Sequence, residues 1–187
     1  MINLEEMLIE NPVVAAVKNE EGLETAIKMT APIVFLIFGS ILNIEDMCKR
    51  LKQAGKTVFI HVDLLDGIKS DISGIEFLKK YAKPDGIIST KTANIKHGKQ
   101  LGLLCIQRLF IIDSSSLVTG IRSINETMPD AVEIMPGVSS KTINKLNGKI
   151  NIPLIASGLI TTKEDVMEAL ASGAVAISTT QISLWDK

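Results

Sequence analysis

The sequence predicts an α/β protein folded as a compact TIM (β/α)8 barrel with a truncated final helix. Eight short apolar runs start 17 to 28 residues apart, and most of the segments between them have helical periodicity. Runs that are apolar on both faces are typical of parallel strands covered by helices. The chain has 187 residues, whereas this fold typically needs about 250. We therefore expect minimal loops and a last helix of little more than one turn.

The apolar runs are the predicted strands. They cover residues 13–17, 33–38, 58–62, 86–88, 103–106, 131–135, 152–156 and 174–177. An open flavodoxin-like or Rossmann sheet is the main alternative, because strand count alone does not prove that a sheet closes. However, no GxGxxG motif follows the first strand to support a dinucleotide site.

Capping residues and periodicity predict the helices between these runs. Asn43 is a candidate cap for a helix that ends before Gly55, and Thr161 has capping-box spacing to Glu164. A segment with apolar residues on one stripe predicts another helix over 114–124. The weakest helical pattern covers 92–101, where Gly98 interrupts it.

Composition and charge exclude several classes of protein. Hydrophobic residues make up 46% of the chain, and 20 basic residues oppose 21 acidic ones, which argues against disorder and against a general polyanion binder. Cys48 and Cys105 form no CxxC pair and have no histidine at metal-ligand spacing. A disulfide framework and a zinc site are therefore not expected, and we predict neither a metal nor a cofactor.

The chain shows no pattern typical of a secreted or membrane protein. Its first residues are acidic where a signal peptide would be basic. Its longest apolar stretch, residues 31–42, is too short to cross a bilayer. We predict a cytoplasmic protein with one TIM-barrel-like domain over 1–187 and no membrane partner, and the sequence leaves its oligomeric state open.

Polar residues at the ends of the central strands are candidates for the mouth of the barrel. If alternate residues of the third strand face the helices, His61 and Asp63 point into the barrel. The same alternation turns Glu133 inward, where its carboxylate needs a partner, and Arg108 and Lys91 are the candidates. Both groups have a purely structural alternative. His61 would be an interior histidine with its hydrogen bonds made within the protein, and Asp63 would cap the following turn. Glu133 would form an ion pair that links neighbouring strands.

The ends of the last two strands carry the strongest local signal, a set of small and hydroxyl-bearing residues: Ser157, Gly158, Ser178, Thr179 and Thr180. Main-chain amides can approach an anion there, and the turn over 181–185 would direct its amino-terminal amides to the same point. Barrels of this type commonly bind a phosphate between the loops after strands seven and eight. The pattern predicts a phosphorylated ligand, with an ordinary pair of tight turns as the alternative.

A basic run over residues 79–108 is the only sequence feature that suggests nucleic-acid binding. It contains six lysines and Arg108, opposed only by Asp85. Such residues gathered on one sector could engage RNA phosphates, although aromatic residues are only 4% of the chain and offer few stacking surfaces. A solvated helix face is the alternative.

Whole phrases of the sequence resemble the glycerol uptake operon antiterminator (GlpP) family. They are VFIHVDLLDG at 58–67, PDGIISTK at 84–91, IQRLFIIDS at 106–114, VEIMPGV at 132–138, IPLIASGLI at 152–160 and the terminal Leu184-Trp185. The resemblance runs in register over nearly the whole chain. The chain departs from the family at Ser157, where a second glycine is usual, and at 139–141, where a second proline is usual.

The resemblance implies a barrel regulator that senses glycerol 3-phosphate and acts on the leader mRNA of glycerol-utilisation genes, preventing premature transcription termination. On barrel geometry we expect Gly158, Ser178 and Thr179 to bind the phosphate, with His61, Asp63, Arg108 and Glu133 at the mouth. Ser157, Thr180 and Lys91 complete the expected ligand-binding set.

The alternative is an enzyme, an isomerase or a decarboxylase acting on a small phosphorylated substrate. Asp63, Asp66, Lys69 and Glu133 would then supply acid–base groups beside the phosphate anchor. No complete catalytic constellation is visible in the sequence, so we expect a regulator.

Overall fold

Eight parallel strands form a closed barrel in the computed structural model, which describes residues 3–186. The strands pair in chain order, and β8 closes the barrel against β1. They are β1 Val13–Val17, β2 Ile33–Leu36, β3 Thr57–His61, β4 Gly86–Ser89, β5 Leu104–Phe110, β6 Ala131–Met135, β7 Leu154–Ser157 and β8 Ala176–Thr179. The barrel prediction is confirmed and the open sheet is excluded, because an open sheet would leave two unpaired edges.

Several strand limits differ from the prediction. β5 continues to Phe110 because Phe110 pairs with Met135 of β6. β7 and β8 begin two residues later than their apolar runs and also end later. Ser157 and Ser178 are therefore part of the two strands and are register partners at the carboxyl end. Strand ends depend on pairing with a neighbour, which the hydrophobicity of a single run does not report.

Seven full helices follow the first seven strands, and a short 3-10 turn follows the eighth. They are α2 Glu20–Lys28, α3 Ile44–Gln53, α4 Ile72–Phe77, α5 Thr92–Gln100, α6 Ser114–Thr127, α7 Ser140–Asn147, α8 Lys163–Ala171 and the turn Ile182–Leu184. This is the predicted truncation of the last helix. A π-helical turn, Leu78–Ala82, extends α4, and a 3-10 turn, Val62–Leu64, follows β3.

An additional helix, α1 over Leu4–Glu10, precedes the barrel and was not predicted. Its Leu4 and Leu8 are buried with the interior side chains of the barrel, so α1 closes the end where the strands begin. Asn3 caps α1 by accepting a hydrogen bond from the amide of Glu6. A capping Asn followed by apolar residues at helical spacing was therefore a usable sequence signal.

One predicted helix cap is confirmed in position and another is wrong. Asn43 is the N-cap residue of α3, but its Oδ1 accepts from the amide of Ser40 at 2.7 Å, in the preceding turn, and from no amide of the helix within residues 3–186. The cap of α8 is Thr162 with Asp165, not Thr161 with Glu164. Adjacent candidates with the same spacing cannot be separated by sequence, because the entry angle of the loop selects the capping residue.

α5 continues through Gly98. The glycine is needed because the helix packs tightly against its neighbours at this position. A Cβ there would come within 2.7 Å of both Cys105 Sγ and Ile87 Cδ1. The glycine therefore lets α5 approach β4 and β5 closely. Cys105 itself is buried, as is Cys48, and burial raises the pKa of each thiol to about 12.

Apolar side chains fill the lower part of the barrel, at the end where the strands begin. The rings of Phe35 and Phe59 meet edge to face, 5.5 Å between centroids. Gly86 leaves room for Phe59, since a Cβ at Gly86 would lie 2.4 Å from the ring. A second apolar layer separates the outer faces of the strands from the helices. Within residues 3–186 no helix has both the length and the hydrophobicity to cross a membrane.

Candidate functional site

A ring of polar side chains replaces the apolar core at the carboxyl end of the barrel. Its five members each lie two residues beyond a buried apolar residue on the same strand, so strand alternation turns them inward. They are His61, Arg108, Glu133, Ser157 and Ser178, all buried. The predicted inward direction of His61 and Glu133 is therefore confirmed. Asp63 does not follow the alternation, because β3 ends at His61 and Asp63 lies in the 3-10 turn Val62–Leu64.

Arg108 is the partner of Glu133. The two residues are register partners on β5 and β6, and Arg108 Nε donates to Glu133 Oε2 over 2.7 Å. The second carboxylate oxygen, Glu133 Oε1, has no hydrogen-bond partner within residues 3–186. Lys91, the other candidate partner, donates instead to the carbonyl oxygen of Ser70. A buried carboxylate with one free oxygen can accept a hydrogen bond from a ligand.

Two other buried polar atoms in this ring also lack a protein partner. They are His61 Nδ1 and Ser178 Oγ, judged over residues 3–186. Burial, together with repulsion from Arg108, lowers the pKa of His61 to about 4. The imidazole is therefore neutral at neutral pH and can both donate and accept a hydrogen bond.

A cavity of about 340 Å³ opens above this ring, between the ends of β7 and β8. This volume is in the range of small-molecule sites. Ser157, Gly158, Ser178, Thr179 and Thr180 all line it, and Arg108 forms part of its floor. The residues that the sequence singled out after strands seven and eight are thus brought together.

The β7–α8 loop exposes main-chain amides to the cavity. Gly158 and Leu159 both have left-handed backbones, with φ of 81° and 61°. Among residues 3–186, the amides of Leu159, Ile160 and Thr180 donate to no protein acceptor. Successive N–H groups in a turn can form a concavity that binds anions.

Thr179 connects the two loops. Its hydroxyl donates to the carbonyl of Ile160 over 2.7 Å and accepts from the amide of Gln181 over 3.1 Å. Trp185 Nε1 donates to the Thr179 carbonyl. The expectation that the turn over 181–185 directs its first amide at a phosphate is therefore wrong for Gln181, because Thr179 already accepts that hydrogen.

Asp63 lies at the rim and is held in place by hydrogen bonds. Ser89 Oγ donates to it over 2.9 Å, the amide of Thr90 over 2.6 Å, and Ser70 Oγ also donates to it. Burial alone would raise the pKa of Asp63, but these hydrogen bonds outweigh it and lower the pKa. The carboxylate joins the β3–α4 loop to β4. Four of the predicted ligand-binding residues do not line the cavity between β7 and β8: Asp63, Lys91, His61 and Glu133.

The acid–base groups of the enzyme alternative are not assembled in one place. Asp66 and Lys69 are exposed on the β3–α4 loop, and Lys69 pairs with Asp71 at 3.3 Å. Glu133 lies inside the barrel. These groups therefore do not surround a common reacting atom.

The basic run over 79–108 does not form one sector. Arg108 lies inside the mouth and Lys91 on its rim, whereas Lys79 and Lys83 lie at the opposite end, where the strands begin. A βα unit crosses the whole height of the barrel, so basic residues close in sequence are separated in space.

Sequence reasoning missed five apolar cavity residues: Leu159 and Ile160 in the β7–α8 loop, and Ala16, Ile37 and Met135. Each of the last three lies two positions beyond a residue that faces the interior, namely Val14, Phe35 and Glu133. The period of two was therefore the available signal, but it becomes usable only when the inward face of every strand is known.

Fold and site together define a (β/α)8 barrel protein with a small-ligand cavity at the carboxyl ends of β7 and β8. A family model described as glycerol-3-phosphate responsive antiterminator matches residues 13–185. The chain belongs to this family, and the resemblance noted in the sequence is confirmed.

Individual relatives agree with this assignment. The chain is 41% identical over 179 residues to the uncharacterized protein YgcP of Escherichia coli K12, covering 96% of this chain and 94% of that one. The glycerol uptake operon antiterminator regulatory protein of Listeria monocytogenes superposes with a TM-score of 0.89 at 36% identity, covering 92% and 94% of the two chains. A glycerol uptake operon antiterminator-related protein of Thermotoga maritima gives 0.83 at 34% identity, covering 94% and 98%.

Proposed function

We propose that this protein is a glycerol 3-phosphate-responsive transcription antiterminator that acts in the cytoplasm on the leader mRNA of glycerol-utilisation genes. Membership of the antiterminator family supports the regulatory role. The observation that carries the ligand assignment is the cavity between β7 and β8. Within residues 3–186, the amides of its lining residues Leu159, Ile160 and Thr180 donate to no acceptor, and Ser178 Oγ, which also lines it, has no partner.

The chemistry of glycerol 3-phosphate matches the two ends of this cavity. The phosphate would accept hydrogen bonds from the amides of Leu159, Ile160 and Thr180. The glycerol hydroxyls would reach Ser178 Oγ on the floor, which donates or accepts a hydrogen bond, and the polar ring below it, where Glu133 Oε1 accepts one. Satisfying these buried atoms strengthens ligand binding, because each of them is already desolvated in the free protein.

Regulation then follows from linkage. A ligand that contacts both the β7–α8 loop and the interior ring favours the conformation in which both are ordered. If leader RNA binds the same conformation, each ligand raises the affinity for the other by the same factor.

We favour a regulator over an isomerase or decarboxylase. Only Glu133, of the groups that an enzyme would use, lies inside the barrel. Asp66 and Lys69 are exposed on the β3–α4 loop, and Asp63 already accepts several protein hydrogen bonds at the rim.

The experiment is a thermal-shift series followed by RNA retention. We expect glycerol 3-phosphate to raise the melting temperature, and glycerol or inorganic phosphate alone to do so much less at equal concentration. Retention of leader RNA on filters should increase with glycerol 3-phosphate. Equal retention with and without it would reject the coupling, and turnover of glycerol 3-phosphate or a related ester would favour the enzyme.

A further inference from the structure

An irregular segment ends α4 at the amino-terminal face, the end of the barrel where the strands begin. Residues Leu78–Ala82 form a π-helical turn, and Lys83 follows with a left-handed backbone, φ 49°. π-helical turns are rare and often occur at functional sites, and a left-handed lysine is uncommon. The segment presents Lys79, Lys80, Tyr81 and Lys83 to solvent.

The three lysines of this segment carry uncompensated charge. Among residues 3–186, Lys79, Lys80 and Lys83 form no ion pair with a carboxylate. The adjacent acid, Asp85, is already neutralised, because Lys52 Nζ lies 3.0 Å from its Oδ1 and the Val58 amide donates to its Oδ2. The local field is therefore positive.

A cavity of about 520 Å³ adjoins the segment. Lys52, Lys79, Lys83 and Asp85 line it together with residues at the starts of β4 and β5. Because Lys52 pairs with Asp85, the charges of this lining that are unpaired within residues 3–186 are the ammonium groups of Lys79 and Lys83. An extended polyanion could place a phosphate there while its neighbours follow the exposed lysines.

Tyr81 adds an aromatic surface to this basic segment. Its side chain is 44% exposed. The ring packs against Phe77, with 4.8 Å between centroids, and Lys80 Nζ lies 5.1 Å from the Tyr81 centroid. An exposed ring that is fixed from behind and flanked by free lysines combines the two features by which single-stranded nucleic acid is held, namely stacking and phosphate contact.

The opposite end of the barrel is less suited to RNA. Its loops carry exposed acidic side chains at Asp66 and Asp113, and Lys69 there is paired with Asp71. Exposed lysines also occur at that end, namely Lys18, Lys91, Lys141 and Lys163. They are spread over four βα units, whereas the three lysines of the α4 segment lie within five consecutive residues.

We infer that the Lys79–Lys83 segment contacts single-stranded leader RNA, with its lysines on phosphates and Tyr81 stacked on a base. This inference rests on the proposed function and adds the RNA surface to it. Ligand and RNA then occupy opposite ends of the barrel, and the coupling between them passes through the strands.

The test compares two double variants in leader-RNA binding at several salt concentrations with saturating glycerol 3-phosphate. Lys79→Gln/Lys80→Gln removes two charges from the segment. Lys145→Gln/Lys149→Gln removes two exposed charges near the end of α7, on the same face of the barrel but away from the segment. The first should reduce the slope of log affinity against log salt by about 1.4, since each single-strand phosphate contact contributes about 0.7. The second should leave it unchanged.

Tyr81 is tested separately. Tyr81→Ala should weaken binding about tenfold with an unchanged salt slope, because no charge is lost. Tyr81→Phe should retain the wild-type affinity, since the ring is kept. Wild-type thermal shifts with glycerol 3-phosphate would show that each variant is folded.

The outcomes separate the two proposals. If the wild-type protein does not retain leader RNA, the proposed function fails and the surface fails with it. If the wild type binds but both double variants have the same salt slope, only the surface is overturned. If polyglutamate of equal charge competes as well as leader RNA, the segment recognises an acidic protein and the RNA assignment is wrong.

Discussion

Arg108 and Glu133 lie opposite each other on β5 and β6, and the Arg108 guanidinium donates to Glu133 Oε2 over 2.7 Å inside the barrel. Their exposed fractions are 7% and 0%. An ion pair buried to this extent gains Coulomb energy but loses hydration, so its net contribution to folding is small. Within residues 3–186, Glu133 Oε1 has no hydrogen-bond partner, and it is the atom that the proposed ligand would satisfy.

We therefore expect Arg108→Met and Glu133→Leu to behave differently alone and together. Each single change leaves one buried charge without a partner and should cost about 3–5 kcal/mol in the free energy of unfolding. The double variant should recover most of this loss, yet give no thermal shift with glycerol 3-phosphate. Urea denaturation measures the first effect. Full ligand response in the double variant would contradict the assigned floor of the cavity.

Ser178→Ala should separate stability from ligand binding. The Ser178 hydroxyl has no partner within residues 3–186, so its removal costs no protein hydrogen bond and should leave stability unchanged or slightly higher. Affinity for glycerol 3-phosphate should fall, as measured by calorimetric titration. Ser172→Ala is the control, because Ser172 is a buried serine just after α8, at the other end of the barrel. Unchanged affinity in Ser178→Ala would remove this hydroxyl from the site.

Gly158→Ala tests the loop conformation. Both Gly158, φ 81°, and Gly55, φ 76°, have left-handed backbones, so alanine at either position should cost about 1 kcal/mol. A Cβ at Gly158 would also lie 2.7 Å from Met135 Cε, whereas at Gly55 no atom of residues 3–186 lies within 4 Å. Met135 lines the cavity, and its flexible terminal methyl group would have to move. Because that movement costs little, we expect similar losses of stability from the two variants in urea, but reduced glycerol 3-phosphate affinity only in Gly158→Ala.

His61 should make the protein less stable as the pH falls from about 6.5 to 4. Its pKa is about 4 in the folded protein and 6.5 ordinarily, so over this interval the unfolded chain binds a proton that the native imidazole does not. The associated stability is complete above pH 6.5 and lost on acidification, by about 3 kcal/mol in total. Asp63 also has a lowered pKa, and the stability that it contributes is lost as the pH falls below its ordinary pKa of 3.8. That pH range lies outside this interval.

The comparison is between wild type and His61→Asn in urea denaturation at several pH values. The variant should lose less stability between pH 6.5 and 4.5 than the wild type. Parallel pH profiles would show that burial does not hold the imidazole neutral.

The amino-acid sequence by itself determined the barrel and the positions of its strands to within a few residues. The barrel was predictable because apolar runs at regular intervals have few other ways to be buried. The inward direction of His61 and Glu133 was predictable because side chains alternate along β3 and β6. The phrases shared with the antiterminator family extended this reasoning to function.

Only the tertiary structure decided which of these residues meet. Closure of the barrel placed Arg108 beside Glu133, left Lys91 on the rim, and moved Lys79 and Lys83 to the opposite end. It also showed that the hydrogen bonds of Asp63 and Thr179 are already used within the protein. Pairing, burial and the unmet hydrogen bonds of Glu133 and Ser178 depend on distances between strands far apart in the chain, and no local pattern contains those distances.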